Sequence, residues 1–320
     1  MSTRRARVAV VGSYGVGLTM RLPRVPVEGE TIAGGEFSSG HGGKGSNQAV
    51  GAARLGADVT LLTAIGADSM GDGARRLWAE EGIDASATVT VQSAATMVGM
   101  ILVEPSGENR IVIATGALDH LSTEHVTSFR RQLADADIAV VSLEIPLATA
   151  VTALRTAREA GTRTLLNPAP AQPLPESAWQ DIDVLTPNRT EAAILLGHDP
   201  DAQESACDLA AQLHAKGVGT VVITLGPDGA FVQDAEGART IPAAAPRAVV
   251  DTTGAGDSFT AALAVALAED QSIEAATRFA ALAGAHTVSI PEVIPALPRR
   301  DDLDSPDRAA AQPSEAADRA

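Results

Sequence analysis

Short β-branched runs alternate with helix-patterned segments along almost the whole of this 320-residue chain, and that alternation limits the fold more than any other feature. "RVAVVGS" reads as a buried strand, "NQAVGAARLG" as a helix ending at Gly56, "DVTLLTAIG" as the next strand, and "GDGARRLWAEEG" as a helix with Leu77 and Trp78 on its packed side. The pattern continues through the strand "DIAVVSLEIP", the helix "LATAVTALRTAREAG", the strands "RTLLNPAP" and "DVLTPN", and the helices "RTEAAILLG" and "ACDLAAQLHAKG". "VGTVVITLG" and "GAFVQD" make a strand and its hairpin partner, and "SFTAALAVALAED" and "IEAATRFAALAGAHTVS" are the last two helices. Strands connected through helices run parallel and are covered on both faces, which predicts an α/β, three-layer αβα sandwich with a mostly parallel central sheet. Apolar residues are 45% of the chain but aromatics only 2%, so the core must be built from Ala, Val, Leu and Ile.

Two regions break the alternation. "ETIAGGEFSSG" has no helix of its own, and "ATMVGMILVEPSGENRIVIATG" is two alternating runs around the turn signal Pro105-Ser106-Gly107-Glu108. Segments of about 14–41 and 95–115 are therefore expected to form a small β layer standing off the main sheet as a lid. The rest of 1–298 reads as one domain, and 299–320, rich in Ala, Asp and Pro, as a disordered tail.

The formal net charge of −16 argues against a nucleic acid backbone or an anionic membrane as partner, although the six acids and two arginines of 301–320 contribute −4 of it. Cys207 is the one cysteine, so no internal disulfide forms. That fits a reducing compartment, and with no apolar stretch long enough to cross a membrane the expectation is a cytoplasmic protein.

Two glycine-rich segments lead into helices. In "SSGHGGKGSNQAVGAARLGA", Gly43-Lys44 is followed by Gly45 instead of Ser or Thr, and Ser38 stands where a P-loop needs its first glycine. The dinucleotide-binding pattern fails too, which leaves a close-packed helix start or a site of another kind. In "DTTGAGDSFTAALAVALA", Gly254-Ala255-Gly256 opens a helix directly after a strand, where ligands of such sheets bind. Free N–H groups and the positive helix end there hold a phosphate that is gathering charge, and Asp257 beside them can take the proton of an attacking hydroxyl. A plain N-cap Asp needs neither the flanking glycines nor Asp251.

"DTTGAGDSFTAALA" resembles the second signature of the PfkB (ribokinase-like) carbohydrate kinases, and Gly42, Gly43, Gly45, Asn47, Ala49, Gly56 and Gly66 fall at the spacings of the first. "NPAPA", "TPNRTEA" and "ITLGPDGAF" resemble the same family in the right order, so that the likeness runs from about Val8 to Pro298. It implies an ATP-dependent kinase for a sugar, with magnesium. Asp257 is implied as the base, and the amides of Gly254, Ala255 and Gly256 as the anion hole. Gly42, Gly43, Lys44, Asn47 and Glu144 are implied on the acceptor side, with Asp257. Asn188, Thr224, Gly226, Gly229 and Gly256 are implied along the nucleotide, with the segment from Ala283 to Thr287 near the adenine. Glu191 is implied to reach Mg²⁺ through water, and Asp251 and Thr253 to belong to a monovalent-cation (K⁺) site. A homodimer through the lid strands, around 32–37 and 105–108, is also implied.

The chain departs from the family pattern at two places. Ribose-reading members use an Asn and an Asp just after the first strand, and aligning on "VGS" puts Gly15 and Gly17 there. Losing the charged contact to a pair of hydroxyls costs about 1.5–3 kcal/mol, roughly ten- to a hundred-fold in affinity. Tyr14 is either a pocket residue or a packed strand residue. In the second, "SIPEVIPALP" puts Glu292 where a glycine is usual and Ala296 where a serine is usual, so that K⁺ dependence stays open. The reading is a sugar kinase for a pentose or a relative. A nucleoside kinase is the runner-up, with few aromatics to stack a base. A phosphosugar kinase would need more cations than Lys44 and Arg110, and the intact Asp257 argues against a sugar sensor without chemistry.

Overall fold

The computed structural model describes residues 4–304, apart from 107 and 202. The strands are β1 (Arg7–Val11), β2 (Gly15–Arg21), β3 (Glu36–Gly42), β4 (Asp58–Leu62), β5 (Ala64–Gly66), β6 (Val89–Val91), β7 (Met97–Val103), β8 (Asn109–Ala114), β9 (Ile138–Ser142), β10 (Arg163–Asn167), β11 (Val184–Leu185), β12 (Thr220–Thr224), β13 (Ala230–Asp234) and β14 (Gly237–Ile241). The helices are α1 (Lys44–Arg54), α2 (Ser69–Glu80), α3 (Thr123–Ser128), α4 (Arg130–Asp135), α5 (Leu147–Glu159), α6 (Arg189–Leu195), α7 (Ala206–Ala215), α8 (Ala255–Ala268), α9 (Ile273–Thr287), α10 (Val293–Ala296) and α11 (Arg300–Asp304).

The main sheet runs β14-β13-β12-β11-β10-β9-β1-β4. It is parallel from β12 to β4, and antiparallel pairing begins only at β13 and β14. Successive residues of β1 and β9 go to opposite layers, as strand geometry requires. Val8, Val10, Ile138 and Val140 join the core under α1, α8 and α9, whereas Ala9, Val11, Ala139 and Val141 join the core under α5, α6 and α7. The expected αβα sandwich is the fold.

The expected lid is a second sheet, β3-β2-β7-β8. Its base is tied to the body on one face. Tyr14 is fully buried, meets Trp78 edge-on at 5.2 Å, and shares a 2.7 Å hydrogen bond with His41 Nδ1. Burial, with Asp68 nearby, pushes the Tyr14 phenol well above its ordinary pKa, so it stays protonated. Tyr14 is therefore the packed residue of the two readings.

Several elements differ from the sequence reading. The run at 58–66 is two strands, because β4 pairs with β1 while β5 pairs with β6. α1 starts at Lys44, three residues earlier than the pattern implied. Helices α3 and α4 and strand β14 had no clear sequence signal. The tail expected to be disordered from 299 instead begins with α11, whose Leu303 is buried and whose Arg300 lies 5.0 Å over the Phe279 ring. The remainder, 305–320, lies outside the described residues.

Candidate active site

The order of the sheet places the candidates along its carboxyl edge. Thr224 follows β12, Asn188 follows β11, Asn167 ends β10, Glu144 follows β9 and Ser13 follows β1. Neighbouring strands are about 4.8 Å apart, so four steps from β12 to β1 cover roughly 19 Å.

At the β1 end, the start of α1 is held by protein atoms. The Glu144 carboxylate accepts from the Ser13 hydroxyl at 2.5 Å and from the Lys44 N–H at 3.1 Å. The Gly45 N–H donates to Ser13 Oγ and the Ser46 N–H to the Ser13 carbonyl. First-turn donors that look like a phosphate cradle in sequence are thus already satisfied. The glycines serve packing: a Cβ on Gly45 would lie 2.5 Å from the Gly12 carbonyl carbon. Gly43, at φ +87°, would put one 2.5 Å from Tyr14 Cα. Gly42 makes only ordinary contact with the Gly15 carbonyl.

Asp257, in the first turn of α8, is 7% exposed. Its carboxylate accepts from Asn47 Nδ2 at 2.8 Å and Gln48 Nε2 at 3.1 Å. Burial raises its pKa, and the charge of Lys44 and the two amides oppose that shift. The Lys44 ammonium is set among Asp257, Glu144 and Glu191: burial pulls its pKa down, but the three carboxylates outweigh burial and hold it above normal. Lys44 therefore stands among carboxylates from the loop after β9, from α6 and from α8. With its amide nitrogen on Asp257, Asn47 keeps its Oδ1 buried and without a partner, an acceptor ready for a hydroxyl. Because Asn47 favours the ionised carboxylate, Asn47→Ala is expected to raise the Asp257 pKa further. A base works only when ionised, so the acid limb of kcat/KM moves to higher pH; a pH–rate profile of the variant against wild type checks this.

The other side of Asp257 is the glycine turn. Gly254, at φ +81°, caps α8, and the space a Gly256 Cβ would fill is open. Next to it, α9 brings Gly284 to the Ala255 carbonyl. Asn188 and Thr224 face each other across an isolated parallel bridge. Asn188 and Glu191 form a capping box on α6: the Asn188 N–H donates to Glu191 Oε2 and the Glu191 N–H to Asn188 Oδ1, both 2.8 Å. Burial raises the Glu191 pKa, opposed by the Asn188 N–H and Lys44 and aided by Asp257, which places this carboxylate within electrostatic reach of the centre. Gly226 has open space around it, whereas Gly229, at φ +89°, is needed by its turn, since a Cβ would meet the Ile241 carbonyl at 2.1 Å. A separate cleft of about 840 Å³, lined by residues such as Arg158, Arg163 and Asp183, opens at the opposite, amino edge of the sheet and takes no part in this site.

Residues 5–300 match the pfkB family of carbohydrate kinases. The chain belongs to this family. It is 39% identical over 298 residues to the ribokinase of Haemophilus influenzae, covering 93% of this chain and 97% of that one. It is 40% identical over 266 residues to the mouse ribokinase, covering 82% of each. The structure of Arabidopsis thaliana ribokinase complexed with ribose and ATP superposes with a TM-score of 0.88 at 29% identity, covering 94% of this chain and 98% of that one. The protein is an ATP-dependent sugar kinase, a phosphotransferase with an alcohol as acceptor.

Against the PfkB pattern, the loop after α9 is unusual. Asp251 accepts from the Thr253 N–H at 2.9 Å and the Glu292 N–H at 3.3 Å, so both its oxygens are engaged. Glu292 sits at φ 65°, ψ 155°, a region that normally requires glycine. Glu292→Gly is expected to stabilise the protein by about 1–3 kcal/mol, read as a higher denaturant midpoint at unchanged slope.

Three site residues escaped the sequence reading. Gln48 bridges Asp257 and Asn167, Ser13 fixes Glu144, and Arg21 lies near Asp251. Gln48 directly follows Asn47 in "GSNQA", which was the available signal. Arg110 pairs with Glu104 at 3.2 Å on the lid and adds no charge to the site.

Proposed function

We propose that the acceptor is a pentose or a close relative, and that Asp257 removes the proton from its hydroxyl as that oxygen attacks the γ-phosphorus of ATP. The observation that carries this reading is the Asp257 carboxylate, buried at a glycine-lined helix start and held by Asn47 and Gln48. The amides of Gly254, Ala255 and Gly256 hold the transferring phosphoryl group, and the Lys44 ammonium offsets negative charge between donor and acceptor. Glu144 and the Asn47 carbonyl oxygen receive sugar hydroxyls, while Asn188, Thr224, Gly226 and Gly229 line the nucleotide.

Among the described residues, no group of three or more His, Cys, Asp or Glu is placed to hold a metal ion. Glu191 has one oxygen on the Asn188 N–H and the other left for a water. These residues fit a hydrated Mg²⁺ that enters on the nucleotide, where the ion neutralises phosphate charge. Each Asp251 oxygen accepts one backbone N–H, Oδ1 from Thr253 in its own loop and Oδ2 from Glu292 in the loop after α9, and each keeps a lone pair with which Asp251 would hold a monovalent cation.

Homodimerisation through the lid is supported by its outer face. Phe37, Met100 and Val112 are 62%, 46% and 71% exposed, and strand register puts them on one face with Leu18 and Met20. A cytoplasmic location is supported by the lone Cys207. No helix among the described residues is long and apolar enough to cross a membrane.

An ATP-consumption assay across pentoses, hexoses, polyols and nucleosides tests the reading. Turnover with a pentose or pentose derivative supports it, and turnover confined to hexoses or polyols rejects it.

A further inference from the structure

Buried groups from the end of β11, the end of β10, α1 and α8 form one chain of hydrogen bonds behind the Asp257 carboxylate. The Thr186 carbonyl, just after β11, accepts from Asn167 Nδ2 at 3.2 Å. Asn167, the last residue of β10, accepts in turn through Oδ1 from Gln48 Nε2 at 3.0 Å. The same Nε2 donates to Asp257 Oδ1 at 3.1 Å. Thr186, Asn167, Gln48 and Asp257 are all buried. The parallel sheet sets this spacing: the Thr186 N–H continues the β10–β11 pairing onto the Leu166 carbonyl, which leaves the Thr186 carbonyl to the Asn167 side chain.

Direction along this chain is fixed from both ends. A backbone carbonyl and an ionised carboxylate can only accept, whereas a primary amide has one end that donates and one that accepts. The Thr186 carbonyl therefore turns the Asn167 nitrogen toward itself and leaves Oδ1 for Gln48. Gln48 must then present Nε2, and both of its N–H bonds are used, one on Asn167 and one on Asp257. Its Oε1 is left buried without a partner, a costly arrangement that the two acceptors facing Nε2 impose. Were the amide reversed, Oε1 would face Asn167 Oδ1 and Asp257 Oδ1 together.

This orientation bears on the base. Burial disfavours the Asp257 charge, Lys44 of α1 is the cation that favours it, and Glu144 after β9 and Glu191 of α6 are the acids around it. An N–H from Gln48 favours the ionised carboxylate, and a carbonyl in its place would favour the protonated one. The Asn167 side chain bonds to Thr186 and Gln48, not to the base itself.

We propose that Asn167 is a positioning residue for phosphoryl transfer: anchored on the Thr186 carbonyl, it decides which end of the Gln48 amide faces Asp257, so that the base meets an N–H. This rests on Asp257 being the base. It also ties that base to the end of β11, the strand that leads into Asn188.

The test is the pH profile of kcat/KM, with ATP and the pentose that the acceptor screen turns over fastest. It compares wild type, Gln48→Met, Asn167→Leu and the double variant, with Asp257→Asn as reference and each protein checked by thermal melting. Methionine and leucine fill nearly the same space without an amide. Gln48→Met is expected to move the acid limb up by about 0.5–1 in pH, because Asp257 loses a donor to its ionised form and ionises only at higher pH. Asn167→Leu is expected to move the limb in the same direction, with the KM values for ATP and acceptor within a few-fold. In the Gln48→Met background Asn167→Leu should move it no further, since Asn167 then has no amide to orient. Asn167→Ala, which adds no bulk, carries the same expectations should the leucine variant fail to fold. A limb unmoved by loss of the Asn167 amide, or moved equally with and without Gln48, overturns the proposal and leaves Asp257 as the base. A limb that survives Asp257→Asn overturns both.

Discussion

Asp257→Asn is expected to slow phosphoryl transfer by about 10²–10⁴-fold while the KM for ATP stays within a few-fold. Asparagine has nearly the same shape, so the first turn of α8 and its N–H groups keep their places. What it loses is the ability to take a proton. The native carboxylate is buried, and burial raises its pKa; Lys44, Asn47 and Gln48 act the other way and favour the ionised form that the reaction needs. The pH profile supplies an independent check. Because the base must be ionised, wild-type kcat/KM falls as pH drops through the Asp257 pKa, which lies above the ordinary carboxylate range. In the variant that acid limb should disappear from whatever rate remains. A variant within ten-fold of wild type on its best acceptor, with the limb intact, would show that another group is the base.

Much of this site was legible in the sequence because local chemistry marked it. A glycine turn, an acid in the first helical turn and the strand before them are neighbours in the chain, so "DTTGAGDSF" could be read as one unit. The partners of Asp257 could not be read in that way. Asn47 and Gln48 lie 210 and 209 positions away, and Ser13 and Glu144 lie 131 apart. Such pairs exist only once the parallel sheet has brought β1, β9, β10 and two helix starts together. The glycines divide along the same line. Gly43 and Gly45 suggested a ligand site, yet their Cβ positions are filled by the backbone of residues 12–15. Gly17 stood out in sequence only through comparison with the family pattern, and its alignment with Gly99 depends on a parallel pairing between strands some eighty residues apart, while Gly40 faces it across the antiparallel β2–β3 pair. Composition misled at the end of the chain, where an acidic segment folds because Leu303 finds a buried place and Arg300 a partner in Phe279 and in the Leu55 carbonyl.

Glu144→Ala is expected to raise the KM for the sugar by about 10–100-fold, with a smaller change in kcat and the KM for ATP within a few-fold, measured by varying each substrate at saturating levels of the other. The magnitude follows from one charge-assisted hydrogen bond, worth about 1.5–3 kcal/mol. Three elements aim this carboxylate: the loop after β9 carries it, the Ser13 hydroxyl after β1 holds Oε2, and so does the first N–H of α1. Its other oxygen is left to accept from a substrate hydroxyl. With Gly17 at the place where ribose-reading relatives carry an acid, Glu144 and Asp257 provide the acceptor-side negative charge, so the loss at Glu144 should fall on sugar binding. Ser13→Ala acts only through Glu144 and should raise the same KM by less. Glu144→Gln, which keeps the shape and one acceptor oxygen, should fall between. If Glu144→Ala instead raised both KM values alike, or lowered the melting temperature without touching the sugar KM, the residue would be a strut between β1, β9 and α1, and the acceptor would have to be held by Asn47, Lys44 and the lid.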